Sequence, residues 1–234
     1  MTVHDFFFRT PLIDEAISLS EHLGMHVEVG HDFRVFQGIL QDAKGHEISP
    51  PFDPEQHKFN EYNAFWLVGR TGDGVVAHTQ AVRLYDLSRM TLGEYMEQNF
   101  RDFPPAGVPL NLPASRYRAG PGARRIRGRV CYHGEMWLDE KAGDFRGKGL
   151  SGVLTRLGFL LTIQNLAPDY IFALMSRMVA CKGLPQRAGF MHTEPGALSW
   201  QLADSNRAIE GFMAWMSMED LRFLLRLPME ELVA

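Results

Sequence analysis

Apolar residues recur at helical spacing from Leu12 to Leu23, at Leu12, Ile13, Ala16, Ile17, Leu19 and Leu23, and Gly24 stands where a helix would stop. This predicts a first helix. The stretch from His31 to Asn63 mixes Phe36, Ile39 and Leu40 with a polar, Pro-containing run from Ser49 to Lys58, and its pattern assigns no element. The signal then sharpens. Ala64 to Gly69 is a continuous apolar run, Thr71-Gly72-Asp73-Gly74 has turn chemistry, and Val75 to Leu84 is a second run, so a hairpin is predicted. Thr91, with Glu94 three residues on, has the form of a capping box and predicts a helix over Thr91 to Phe100.

Phe103 to Gly128 is rich in Pro, Gly and Arg and reads as an insertion, either ordered or mobile. Arg129 to Leu138 reads as a strand and Lys141 to Arg146 as a turn. Leu150 to Gln164 carries a helical stripe at Leu150, Val153, Leu154, Leu157, Leu160 and Leu161. Asp169 to Met175 is a short apolar strand, and a helix-like piece broken by Pro185 runs on to Ala188. Ala197 to Leu202 and Phe212 to Met216 read as strands. Ser217 caps a last helix through Leu225, with Asp220 in its first turn. The order predicts a mixed α/β fold in a single domain over residues 1–234, with an insertion around 101–128.

Composition narrows the partners. The chain is 45% hydrophobic and 22% charged, which is ordinary globular usage. A net charge of -4 excludes a generally basic nucleic-acid binder. Arg116, Arg118, Arg124, Arg125, Arg127 and Arg129 nevertheless cluster around Tyr117, as a solvated loop or a local anion patch. Cys131 and Cys181 have neither metal-ligand nor disulfide-framework spacing, and His78, His133 and His192 make no metal pattern, so no metal is expected. A reducing, cytoplasmic setting fits the cysteines. Phe6-Phe7-Phe8 is too short for a signal sequence, and no apolar stretch reaches the roughly 20 residues of a membrane span. Neither a membrane nor nucleic acid is therefore expected as partner. Met213, Met216 and Met218 flank Trp215, as core or as a homodimer interface.

The candidate chemistry lies between the strand ending at Leu138 and the helix starting near Leu150. Gly147, Gly149 and Gly152 sit there beside Arg146 and Lys148. Unpaired N–H groups at a helix N-terminus carry partial positive charge, and glycines let an anion approach them. The anion best sized for this loop is a diphosphate. Gly147 to Gly152 formally matches G-x-G-x-x-G, a dinucleotide fingerprint. That fingerprint wants an acidic residue at the end of the next strand, but Asp169 begins it, and too little chain follows for a second half.

The segment Arg146-Gly147-Lys148-Gly149-Leu150-Ser151 also resembles the pyrophosphate motif R/Q-x-x-G-x-G/A of the GNAT family of N-acetyltransferases, with Ser151 at the final small position. Glu135-Met136-Trp137-Leu138-Asp139 resembles the family's fourth strand, and Gln186-Arg187-Ala188-Gly189-Phe190 resembles its x-x-x-G-F helix ending. The Trp66 to Leu84 hairpin fits its second and third strands. The resemblance spans roughly residues 60 to 216. It implies an α/β (α+β) fold with a mixed, mostly antiparallel central sheet flanked by helices. The activity it implies is N-acyl transfer, in its usual form N-acetyl transfer, by direct attack of an amine on acetyl-CoA or another acyl-CoA. The acceptor would be a small-molecule or peptide amine. Arg146, Gly147, Lys148, Gly149, Leu150 and Ser151 would hold the diphosphate, and backbone groups of Met136, Trp137 and Leu138 would meet the pantetheine arm.

Within that resemblance Glu135 is the first candidate base and His133 the second. Strict alternation places His133, Glu135 and Trp137 on one face of the strand and Tyr132, Met136 and Leu138 on the other. The tyrosine that many members use as an acid is replaced by Pro185, and Ser176-Arg177 occupies the region of a familiar asparagine. Ser176 is left as a hydroxyl near the sulfur. The arginine cluster is a candidate for the CoA 3′-phosphate. Two other readings remain open: an acyl-homoserine-lactone-synthase-like enzyme, suggested by the long segment Arg89 to Gly128, and a non-catalytic CoA-binding or regulatory module, suggested by the missing tyrosine.

Overall fold

The computed structural model describes residues 10–45, 47–139, 145 and 147–232. Their backbone forms α1 (Pro11–His22), β1 (His26–Gly30), α2 (Phe33–Lys44), β2 (Ala64–Arg70), β3 (Val76–Leu87), α3 (Leu92–Asn99), β4 (Arg116–Tyr117), β5 (Gly128–Leu138), α4 (Leu150–Leu166), β6 (Tyr170–Ser176), α5 (Arg177–Cys181), α6 (Leu184–Arg187), β7 (His192–Gln201), β8 (Ala208–Ser217) and α7 (Met218–Leu224). The strands make one eight-stranded sheet in the order β1-β2-β3-β5-β6-β8-β7-β4. Every pairing is antiparallel except β5 with β6. This is the mixed, mostly antiparallel sheet with flanking helices that the resemblance implies.

Local chemistry sets most of these boundaries. The Thr91 hydroxyl accepts from the Glu94 N–H while the Glu94 carboxylate accepts from the Thr91 N–H, closing the capping box that starts α3. Ser217 and Asp220 make the same reciprocal pair at α7. Pro185 lies in the first turn of α6, where its missing N–H has no intrahelical role, so it opens a second short helix instead of interrupting one long one. The segment that the sequence pattern left unassigned, His31 to Asn63, holds α2, and β1 lies just before it. Asp32 caps α2 through the Arg34 and Val35 N–H groups, Phe33, Phe36 and Leu40 form its buried face, and Gly45 ends it in the left-handed region.

Two apolar layers cover the sheet. On one face α1, α4 and α7 bury a cluster that includes Ile17, Leu154, Leu157 and Leu221. On the other, α2, α3 and the segment after it bury Phe36, Phe52, Phe103 and Trp200. α4 is buried nearly all round, beyond the stripe that the sequence predicts, because α1 packs against it as well as the sheet. Arg156 is buried by the same packing and donates to the Leu227 carbonyl at 2.9 Å. The Pro-, Gly- and Arg-rich segment packs into the fold. Ala119, Ala123 and Ile126 are buried, the Leu92 and Gly93 N–H groups donate to Ile126 and Ala123 carbonyls at 2.8 Å, and the Glu194 carboxylate accepts from the N–H groups of Gly122 and Ala123. Met213 and Met216 are core residues, which answers the choice between core and interface for those two.

Candidate active site

The site grows from the parallel pair. β5 and β6 are hydrogen-bonded partners only at Val130↔Tyr170, Cys131↔Ile171 and Tyr132↔Phe172. Both strands continue past that point, to Leu138 and Ser176, each held on its outer side by an antiparallel neighbour. The strands therefore part at their carboxyl ends, and a slot of about 290 Å³ opens through the sheet between Tyr132–Met136 and Ala173–Ser176. On the α4 side Val179, Leu184, Ala188 and Phe190 close it. On the α2 side Lys44, Ser49 and Pro104–Ala106 do so. Carboxyl ends of parallel strands are a recurrent place for ligands, because the following helix presents its N-terminus at the same end.

That helix is α4. Gly149 is its N-cap with φ 70°, and Gly147 has φ 76°. Both lie in the left-handed region that glycine enters at no steric cost. Among the described residues no side chain caps the helix, and no acidic residue lies in its first turn. The first N–H groups of α4 thus keep their partial positive charge. Gly147 and Lys148 are exposed, the Leu150 side chain is core, and Ser151 is half-buried. Arg146, the remaining member of the expected loop, lies outside the described residues.

β5 carries a bulge at the slot. Thr79 pairs with Trp137 and Ala81 with Gly134, so Gln80 alone faces both Glu135 and Met136. Glu135 takes φ 51°, a costly conformation for a non-glycine residue. It is held there by three contacts: the Thr79 hydroxyl donates to its carbonyl at 2.7 Å, the Ser49 N–H donates to Oε1 at 2.9 Å, and Lys44 Nζ pairs with Oε2 at 3.2 Å. The bulge corrects the alternation read from the sequence. His133 and Glu135 lie on opposite faces. His133 packs on Phe159 of α4 and on Phe190, the side that also takes Met136 and Leu138. Glu135 reaches toward α2, as Tyr132 and Trp137 do, with the Lys44 ammonium 5.9 Å from the Trp137 ring centre.

Beneath α4 the polar groups are locked by geometry. Gln80 Nε2 donates to the Leu154 carbonyl at 2.7 Å, which turns Gln80 Oε1 toward His133 Nε2, 2.7 Å away. Gly158 makes the contact possible, since a Cβ there would lie 2.5 Å from Gln80 Oε1. His133 must then carry its proton on Nε2, leaving the lone pair on Nδ1. Burial lowers the His133 pKa to about 4, so the ring is neutral at pH 7. His78 is also buried, without a well-formed hydrogen bond, and burial with the neighbouring His133 brings it to about 3. Tyr132 lines the slot with its phenol kept protonated by burial and by Glu135.

The slot thus brings together His133, Glu135, Met136 and Ser176, and the Ser176 hydroxyl also accepts the Val179 N–H at 3.4 Å as the α5 cap. Trp137 and Leu138 continue the same strand edge without lining the slot. Lys44, Ser49, Tyr132 and Phe190 were not singled out by their side chains. Only Phe190 had a sequence signal, the Gly-Phe helix ending, and the others arrive from distant segments. The arginine cluster is exposed. Arg127 and Arg129 lie at the opposite end of β5, an 11-residue strand that spans about 30 Å, so they cannot share a ligand with the glycine loop. Arg129 instead donates to the Leu166 carbonyl at 2.7 Å and satisfies the end of α4. Among the described residues no group of three or more His, Cys, Asp or Glu is arranged to hold a metal ion, and no helix is long and apolar enough to cross a membrane.

No family model matches this chain, and no curated protein matches it. Solved structures that align with it include FeeM, an N-acyl amino acid synthase from uncultured soil microbes, at 8% identity over 88% of this chain and 97% of that one, with a TM-score of 0.44. Mutant forms of the spermidine/spermine N-acetyltransferase SpeG from Vibrio cholerae align at 8% identity over 86% and 98% of the two chains, with a TM-score of 0.45. An N-acetyltransferase from Staphylococcus aureus aligns at 9% identity over 82% and 97%, with a TM-score of 0.42.

Proposed function

We propose that this chain is an acyl-CoA-dependent N-acyltransferase whose active site is the slot between β5 and β6. The observation that carries the reading is the end of the β5–β6 ladder at Tyr132↔Phe172, beside the uncapped N-terminus of α4. The fit to CoA is chemical. The Gly147–Ser151 backbone offers N–H donors and Lys148 a cation to a diphosphate, and the free edge of β5 from Met136 to Leu138 offers peptide groups to an amide-bearing arm. Arg146 belongs to the same proposed anion site.

The amine enters in its neutral form and attacks the thioester carbon. A C–N bond forms, the C–S bond breaks, and the amine's proton leaves for a nearby base. In this reading His133 is the base and takes that proton on Nδ1, since Gln80 engages Nε2. Glu135, with both carboxylate oxygens engaged by Lys44 and Ser49, shapes the slot mouth and holds the bulge. A backbone N–H of β5 faces the developing oxyanion. The Ser176 hydroxyl lines the slot from the β6 side and stands closest to the role left by Pro185.

Calorimetric titration with CoA and acetyl-CoA tests the reading. Binding at micromolar to low millimolar ligand is expected, and absence of heat at millimolar ligand removes the proposal. A panel of amines with thiol release as readout then separates an enzyme from a module that only binds CoA. For a turned-over amine, kcat/KM is expected to rise with pH as the free amine fraction grows, with no inflection near 6.5, since His133 is already neutral well below that. An inflection near 6.5 that disappears in His133→Gln would overturn the buried, neutral histidine.

A further inference from the structure

A second cavity, of about 120 Å³, joins the slot on the α2 side of the sheet. The two share Tyr132, Pro104, Pro105 and the end of β6 from Leu174 to Ser176. Past that junction the walls are Phe103, Leu198, Trp200 and Ile209, with Gly211 at the base, and no charged side chain lines it. Phe103, Leu198 and Trp200 are themselves core residues, so the walls are fixed by packing. On the same face of the sheet, the slot's flank toward α2 has the opposite character, with the buried Lys44–Glu135 ion pair in its wall.

We propose that this annex holds the acyl chain of the donor beyond its first two carbons, so that the preferred donor is a medium-chain acyl-CoA of about six carbons instead of acetyl-CoA. The inference rests on the acyl-CoA reading of the slot. The loop proposed for the diphosphate lies at the start of α4, on one side of the sheet, and the annex lies on the other side, joined to it through the slot. A chain attached to a thioester between β5 and β6 therefore points at the annex. The polar amine acceptor is matched instead by the polar flank at Lys44 and Glu135. The annex, with about 120 Å³ open to water-sized groups, has room for a few methylenes and not for a long acyl chain.

Calorimetry with acetyl-, butyryl-, hexanoyl- and decanoyl-CoA on the full chain tests this. Affinity is expected to rise by up to about fourfold per methylene as far as hexanoyl, then level off or fall. Ile209→Trp, which fills the annex, is expected to lower the hexanoyl-to-acetyl affinity ratio at least tenfold. The series on the unmodified chain stands even if that variant does not fold. Equal binding of all four esters overturns the inference and leaves the CoA site intact. A flat acyl series with a strong preference for long apolar amines also overturns it, giving the annex to the acceptor. If no CoA ester binds, the acyl-CoA reading itself fails and this inference falls with it.

Discussion

Gly149→Asp is expected to weaken CoA binding at least a hundredfold, while Gly149→Asn weakens it no more than about tenfold. The two side chains are nearly equal in size, and both are among the few that tolerate the left-handed conformation Gly149 holds at φ 70°. Both also offer an oxygen to the uncapped N–H groups of α4, so neither should unfold the helix. They differ in charge. A carboxylate about 5 Å from a phosphate oxygen costs about 3 kcal/mol at an effective dielectric constant of 20, which is a factor of more than a hundred in affinity. The carboxylate also occupies the N–H groups that the anion needs. Calorimetry reads the affinities, and thermal melting shows that both variants remain folded. Equal affinity in all three proteins would place the diphosphate elsewhere. An equal loss in Asn and Asp would mean that backbone shape, and not charge, is what the glycine supplies.

That test is possible because the loop was legible in the sequence. Gly147 and Gly149 stand between a readable strand and a readable helix, and each element carried its own local signal: the apolar runs of β2 and β3, the capping box at Thr91, the N-cap at Ser217, the stripe of α4. β1 and α2 were less legible. Phe33, Phe36 and Leu40 do have helical spacing, but the five-residue edge strand before them and the proline-rich run after them hid the frame. The slot was not legible at all. It exists because the β5–β6 ladder stops after Tyr132, and no residue type marks where a ladder stops. The bulge defeated the alternation for a related reason. Gly134 is the residue that would ordinarily take the left-handed position, yet Glu135 takes it, held by Ser49 and Lys44, which lie 86 and 91 residues away in the chain. The sequence identified Glu135 and His133 as neighbours in the strand, and tertiary contacts then sent them to opposite sides of the sheet.

The same tertiary burial leads to a strong dependence of stability on acid. His78 and His133 are fully enclosed, and burial lowers their pKa values to about 3 and about 4. In the unfolded chain both return to about 6.5. Between those values the unfolded state binds two more protons than the folded state, so stability falls as pH falls. Each unit of pH in that window costs about 1.4 kcal/mol per histidine, or about 2.7 kcal/mol for the pair. The protein is expected to lose about 5 kcal/mol between pH 7 and pH 4.5, much of the stability of an ordinary domain. Carboxylates add their loss at lower pH, since Thr91 holds Glu94 and Ser88 holds Asp86 below the usual carboxylate range. Urea unfolding at half-unit steps from pH 7.5 to 4.5 measures the slope directly. His78→Leu removes one of the two protons and should halve it, whatever the variant does to stability at pH 7. A flat profile from pH 7 to 5 would mean that the two rings are hydrated or paired in solution. In that case His133 would titrate near 6.5, and the expectation that kcat/KM shows no inflection there would fail with it.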